Sequence, residues 1–169
     1  MILRKANSEE IPFIWEILQH GIQQRKKDGS DQWQNGYPNE KTIQEDVANN
    51  SAYVFTDKNK IIAYSAIIKG IETAYNIIEG KWLNDNKYIT IHRVAASDSV
   101  KGKGIGSALF AKIEDICLRE NIYNIRVDTS FDNLPMIKIL DKLNYSYCGE
   151  VIMGGSPRRA YHKELPKNI

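Results

Sequence analysis

Apolar positions along the chain switch between a period of two and a period near 3.6, and the switches mark out its elements. Ile2 and Leu3 open an apolar segment that predicts a first strand. Asn7 and Glu10 stand at capping-box spacing. Ile11, Ile14, Trp15, Leu18 and Ile22 then fall on one face of a helix. Pro12 sits near its first turn, where a missing N–H matters least. The helix is expected to fade at Arg25-Lys26-Lys27, and Asp28-Gly29-Ser30 marks a loop. That loop, 28–38, holds Trp33 and Tyr37, which either line a pocket or staple the loop to the core. A short helix starting at Asn39 or Glu40 buries Ile43 and Val47. Two β-rich runs, 52–56 and 61–68, flank Asp57-Lys58-Asn59-Lys60 and predict a hairpin.

The segment 69–86 is read as a lid or substrate-side excursion. Ile71, Tyr75 and Ile78 share a helical spacing that Gly80 ends, and Trp82 follows. A strand is expected over 88–95. After it, Leu109, Ile113, Ile116 and Cys117 form the stripe of a helix, and 122–127 is the next strand. A strand, a crossover helix and a strand make a right-handed βαβ unit with parallel strands. Asp132 or Asn133 caps a further helix, with Pro135 in its first turn and Met136, Ile139, Leu140 and Leu143 on its buried face. Strands at 145–152 and 159–164 close the chain around Gly154-Gly155-Ser156-Pro157. Hairpins, one parallel crossover and a closing hairpin predict an α+β sandwich: a mixed, mostly antiparallel central sheet with helices on both faces.

Composition narrows the setting. The 169 residues are expected to form a single domain over 1–169 with a sizeable core. The net charge of +2, from 23 basic and 21 acidic residues, is too balanced to argue for nucleic acid or a membrane as the main partner. The start, MILRKANSEE, has no long apolar run, so no signal peptide or membrane span is expected. Cys117 and Cys148 make neither a disulfide framework nor a metal spacing, which points to a reducing, cytoplasmic setting without a metal. The prior for a soluble oligomer favours a homodimer.

The candidate chemistry gathers in 91–110, IHRVAASDSVKGKGIGSALF. Gly102, Gly104 and Gly106 alternate where a helix begins. Backbone N–H groups freed of side chains there, with the positive end of the helix dipole, suit a pyrophosphate. A P-loop would need Lys after the last glycine, but Ser107 follows Gly106. The dinucleotide fingerprint would need G-x-G-x-x-G after the first strand of a doubly wound sheet. Here the pattern is G-x-G-x-G, late in the chain and preceded by hairpins. Lys101-Gly102-Lys103-Gly104-Ile105-Gly106 instead resembles the coenzyme A pattern of the GNAT acetyltransferase superfamily, with Lys for the usual Arg or Gln. HRVA before the turn, DNLPM after the next strand and KLNYSYCG near the end resemble its successive motifs, with Asn144-Tyr145 in place of a Gly-Phe pair.

This resemblance implies a splayed strand pair and an acetyl-CoA-dependent N-acetyltransferase acting on a primary amine of a small molecule or peptide. Val94, Ala95 and Ala96 would lie along the pantetheine arm, Val94 and Ala96 pairing with it through their backbones. Lys101, Gly102, Lys103, Gly104, Ile105, Gly106 and Ser107 would hold the pyrophosphate; Lys101 and Lys103 either touch phosphate or belong to a solvated turn, and with three glycines beside them contact is favoured. Asn133 matches a residue that commonly touches the pantetheine. The acceptor ammonium, with a pKa of roughly 10, must lose a proton before it attacks. His92 is the candidate base, two residues before Val94 and so expected on the same strand face. The Val94 N–H would stabilise the oxyanion. The family's usual tyrosine acid falls at Leu140, which cannot donate a proton. Tyr145, Tyr147, Cys148 or solvent could substitute, and no acid is assigned. Asp128 either reaches the acceptor side or caps the turn at 130–133, and the cap is favoured. Arg158-Arg159 is expected to be a surface pair, and Trp33, Tyr37, Tyr75 and Trp82 are candidate acceptor walls. The rival reading, motivated by Leu140, is a non-catalytic acyl-CoA binding or sensing domain.

Overall fold

The computed structural model describes residues 1–167. Its strands are β1 (Ile2–Lys5), β2 (Ala52–Asp57), β3 (Lys60–Lys69), β4 (Glu79–Gly80), β5 (Ile89–Ala96), β6 (Asn124–Thr129), β7 (Ser146–Met153) and β8 (Ser156–Glu164). The helices are α1 (Ile11–Lys27), α2 (Glu40–Ala48), α3 (Ile105–Arg119) and α4 (Leu134–Lys142). The strands hydrogen-bond in the order β1-β2-β3-β5-β6-β8-β7-β4. β5 and β6 pair in parallel, while β1–β2, β2–β3, β6–β8, β7–β8 and β4–β7 are antiparallel. This is the mixed, mostly antiparallel sheet that the order of hairpins and one crossover predicts. The chain packs as two compact units, residues Met1–Ile67 with Arg93–Lys112, and Ile68–His92 with the chain from Ile113 onward.

In the first unit, Asn7 and Glu10 form the expected capping box, closing a single 3-10 turn, Ser8–Glu10, ahead of α1. α1 buries Ile14, Ile17 and Leu18, with Ile11 and Trp15 packed beside them. Ile17 joins the face that the i, i+3, i+4 pattern drew without it. The helix runs through its basic last turn, where cations suit the carbonyl end of the dipole. The β2–β3 hairpin turns on Lys58 and Asn59, both at positive φ (45° and 66°), as a two-residue turn that matches strand twist requires. Ile43, Val54, Tyr64 and Ala95 complete the core of this unit.

In the second unit, the segment after β3 departs from the helical reading. Only a 3-10 turn, Thr73–Asn76, forms, and Glu79 and Gly80 pair with Glu150 and Gly149 of β7 as β4. The helical spacing misled because Tyr75 and Ile78 reach the core from a 3-10 turn and the extended residues after it, while Ile71 stays 73% exposed. A Cβ on Gly80 would lie 2.1 Å from the Cys148 carbonyl oxygen, and one on Gly149 2.1 Å from that of Glu79. The two glycines therefore set how close these strands come. Tyr75, Trp82, Tyr88, Cys148, Val151 and Ala160 form one buried cluster of this unit. α4 starts at Asn133, whose Oδ1 accepts the Met136 N–H at 3.3 Å. It ends in a Schellman motif, with Tyr145 N–H bonded to the Leu140 carbonyl and Asn144 N–H to that of Asp141. Asn144 is at φ 61°, the left-handed position that glycine usually fills.

Candidate active site

The glycine turn lies in the first unit. Lys101, Gly102, Lys103 and Gly104 are exposed, Ile105 is buried, and Gly106 and Ser107 are half-buried in the first turn of α3. Gly102 and Gly104 take φ 77° and 71°. A Cβ on either would meet nothing within 4 Å, so the turn depends on glycine for its backbone angle and leaves the space above it open. The first amides of α3 have no partner inside the helix, by helix geometry. Lys101 Nζ donates to Gln24 Oε1 at 2.9 Å and Lys103 Nζ to the Ser99 carbonyl at 3.3 Å, so each ammonium already has a protein partner.

Before the turn, β5 is not a regular strand. Arg93 is at φ 54°, left-handed and non-glycine in the middle of a strand. The alternation that would place His92 and Val94 on one face does not carry across such a kink. Ala95 is buried in the core of the first unit, Val94 is half-buried and Ala96 exposed.

The Arg93 side chain is 10% exposed and meets Asp46, 7% exposed, on α2. Its Nε donates to Asp46 Oδ2 at 2.9 Å, and a terminal nitrogen donates to Oδ1 at 2.5 Å. The second terminal nitrogen donates to the Tyr37 hydroxyl at 2.7 Å. Tyr64 OH donates to Asp46 Oδ2 at 2.5 Å. Burial works against the guanidinium charge, but Tyr37 and Asp46 outweigh it and raise its pKa above the ordinary arginine value. Burial, then the Asp46 charge, raises that of Tyr64. Trp33 packs against Gly21 of α1, its ring 3.1 Å from where a Cβ would stand. Trp33 and Tyr37 thus staple the 28–38 loop, which decides between the two readings of that loop.

The second unit holds His92 among two carboxylates and a tyrosine. His92 Nε2 lies 3.2 Å from Glu72 Oε2, and Nδ1 lies 3.7 Å from Asp128 Oδ1. Tyr75 OH donates to that same Asp128 oxygen at 2.5 Å, and the Glu72 N–H donates to Tyr88 Oη at 2.9 Å. Burial, then Asp128, raises the Tyr75 pKa well above the usual phenol value, so this hydroxyl keeps its proton. Asp128 therefore serves this cluster and does not cap the turn, where Ser130 Oγ instead bonds Asp132 Oδ1 at 2.8 Å. Tyr75 (1% exposed) and Trp82 (7%) are core residues and not acceptor walls. Glu72 carried no signal in the sequence, standing in a segment read as a helix.

The substitute acids fare differently. Leu140 is fully buried. Tyr145 is buried with its hydroxyl toward Glu114 at 3.5 Å, and burial raises its pKa well above the phenol value. Cys148 is buried and its thiol pushed up, chiefly by burial. Tyr147 is half exposed under the Arg159 guanidinium, which stacks 4.3 Å from its ring. Arg159 is thus held among aromatic rings and is more than one half of a surface pair. Asn133 is occupied as the α4 cap. Among the described residues, no group of three or more His, Cys, Asp or Glu is placed to hold a metal ion, and no helix is long and apolar enough to cross a membrane.

The family described as Acetyltransferase (GNAT) family matches residues 15–145, more than half of the chain. The chain belongs to the GNAT acetyltransferase family. The crystal structure of a GNAT-family acetyltransferase from Streptococcus agalactiae 2603 is 37% identical to this GNAT chain, covering 98% of it and 96% of that protein, at a TM-score of 0.92. A GNAT-family acetyltransferase from Listeria monocytogenes 4b F2365 is 17% identical at a TM-score of 0.77, covering 97% and 94%. The yncA protein of Salmonella typhimurium, solved with its cofactor acetyl-CoA, is 13% identical at 0.70, covering 100% and 96%. These last two share the fold. No curated protein matches the sequence. As a GNAT chain, this one departs from the usual pattern at Leu140, while Asn144 takes the left-handed turn of the usual glycine.

Proposed function

We propose that this chain, as a single domain over 1–169, is an acetyl-CoA-dependent N-acetyltransferase acting on a primary amine of a small molecule or peptide. The observation that carries this reading is His92 held between Glu72 and Asp128, next in the chain to the kinked Arg93 and to Val94. Acetyl-CoA supplies a thioester whose carbonyl an amine attacks directly. The residues of the first unit suit such a donor: Gly102 and Gly104 leave the space above the turn open, and the first amides of α3, from Ile105 through Ser107, would face a pyrophosphate without an intrahelical partner, while the Lys103 N–H is held by the Val100 carbonyl at 3.2 Å. Val94 and Ala96 offer backbone groups to an amide-bearing arm, and the Val94 N–H would carry the developing oxyanion. Lys101 and Lys103 would add charge there on exchanging their present partners, Gln24 and the Ser99 carbonyl, for phosphate.

His92 takes the proton of the acceptor ammonium. With Nε2–H donated to Glu72, the lone pair lies on Nδ1, the nitrogen nearest Asp128. Asp128 and Glu72 together suit a cationic acceptor and then the imidazolium that results. No acid is required, because a thiol of pKa roughly 8.5 leaves readily as thiolate. The buried, unpaired Cys117 and Cys148 support a reducing, cytoplasmic setting. The second reading, a non-catalytic acyl-CoA sensor, is favoured only by Leu140, buried where an acid would stand. Thiol release from acetyl-CoA across a panel of amines separates the two: turnover supports the enzyme, and tight binding without turnover supports the sensor.

A further inference from the structure

We propose that Arg93 is a positioning residue: anchored by Asp46, Tyr64 and Tyr37, it locks the left-handed kink of β5 and so sets the direction of the Val94 N–H. This rests on the functional reading above, in which that N–H meets the thioester oxygen. The observations are independent of that reading. A non-glycine residue at φ 54° inside a strand is disfavoured, and such a residue persists only where its surroundings over-determine it. Arg93 is over-determined in this sense. Its fork meets both oxygens of one carboxylate, its remaining nitrogen meets Tyr37, and the carboxylate is fixed from the other side by the fully buried Tyr64.

Stability alone is a poor reason for the arrangement. A buried ion pair commonly contributes no more than well-packed apolar residues of the same volume would. What the pair does supply is direction, because a planar guanidinium clamped on two edges cannot rotate without breaking several bonds at once. The backbone that carries it is held with it. Asp46 stands on α2 between Ile43, fully buried, and Val47, packed against the same core, so the anchor is itself fixed by packing. A strand without this clamp would relax toward regular φ and turn the next N–H to the other edge.

The test compares residues by their tolerance of positive φ. Removing Arg93 alone would strand the Asp46 carboxylate, so Asp46→Asn is present throughout. Arg93→Gly accepts the kink freely and Arg93→Thr resists it. The expected result is a kcat for Arg93→Gly about fivefold to thirtyfold above that for Arg93→Thr, with KM for acetyl-CoA unchanged between them. Equal kcat values overturn the proposal. A second measurement does not depend on the double variants folding or on turnover: the Val94 amide resonance in Asp46→Asn with Arg93 intact. Broadening or splitting confined to residues 92–95 is expected, and a single unshifted Val94 peak overturns the proposal. A wild-type protein that neither binds nor turns over acetyl-CoA would refute the functional reading, while the Val94 resonance would still decide the role of Arg93.

Discussion

The glycine turn and the middle of β5 stand close in the chain and are built in opposite ways. At Gly102 and Gly104 the backbone takes left-handed angles because no side chain forbids them, and the space above is empty. At Arg93 the backbone takes a left-handed angle although a side chain disfavours it, and that side chain is fastened by three hydrogen bonds to Asp46 and Tyr37. The first arrangement is permissive and suits a ligand that brings its own shape and charge. The second is enforced and suits a task in which direction matters. One predicts that substitutions in the turn act on donor binding. The other predicts that substitutions around β5 act on rate.

The largest effect is expected at His92. His92→Gln should lower kcat by roughly 10²- to 10⁴-fold with donor affinity intact, as read by thiol release beside calorimetry. Unchanged kcat, or a pH–rate profile that matches wild type, would remove the base assignment. The next effect concerns pH and a buried histidine of the second unit. His162 is fully buried, its Nδ1 accepting the Leu83 N–H at 3.2 Å. Burial, and then the Arg126 charge, push its pKa down to about 4 from 6.5. The unfolded chain therefore binds a proton that the folded one refuses. This contribution to stability is present in full above pH 6.5 and is lost as pH falls toward 4. It amounts to about 3 kcal/mol. Urea midpoints between pH 7 and 4 should fall accordingly, while the His162 ring proton shows no titration near 6.5 by NMR.

Smaller effects sharpen the contrast. Gly104→Ala should weaken acetyl-CoA binding about tenfold, since a side chain at φ 71° costs roughly 1–2 kcal/mol, and it should leave kcat at saturation nearly alone. A kcat loss without a binding loss would show that the turn is not permissive. Tyr64→Phe takes one donor from the buried Asp46 and should cost about 1–2 kcal/mol in a denaturant melt.

The same contrast explains what could be read from the residues alone. Glycines announce backbone geometry locally, so the turn and the α3 start were legible, and the β2–β3 hairpin was legible from its two β-rich runs around Asp57-Lys58-Asn59-Lys60, as was the run of strands around one crossover. Asn144 was visible as the stand-in for a glycine only through the resemblance of KLNYSYCG to the family's last motif. The His92 and Arg93 clusters join residues far apart in the chain, Asp46 with Arg93 and Glu72 with His92. No local spacing encodes such pairs. A hint was present, since an arginine in an apolar strand and an aspartate between Ile43 and Val47 each ask for a buried partner. The period of the 71–78 segment misled because two inward residues, Tyr75 in a 3-10 turn and Ile78 after it, imitate a helical face.

Isothermal calorimetry of the folded protein with coenzyme A and acetyl-CoA, paired with a thermal shift under the same conditions, bears most directly on the glycine turn as a diphosphate cradle. Saturable one-to-one binding of both, weakened by Gly104→Ala and by added salt, is the predicted result. A well-folded sample that shows neither heat nor a shift with either compound would contradict it.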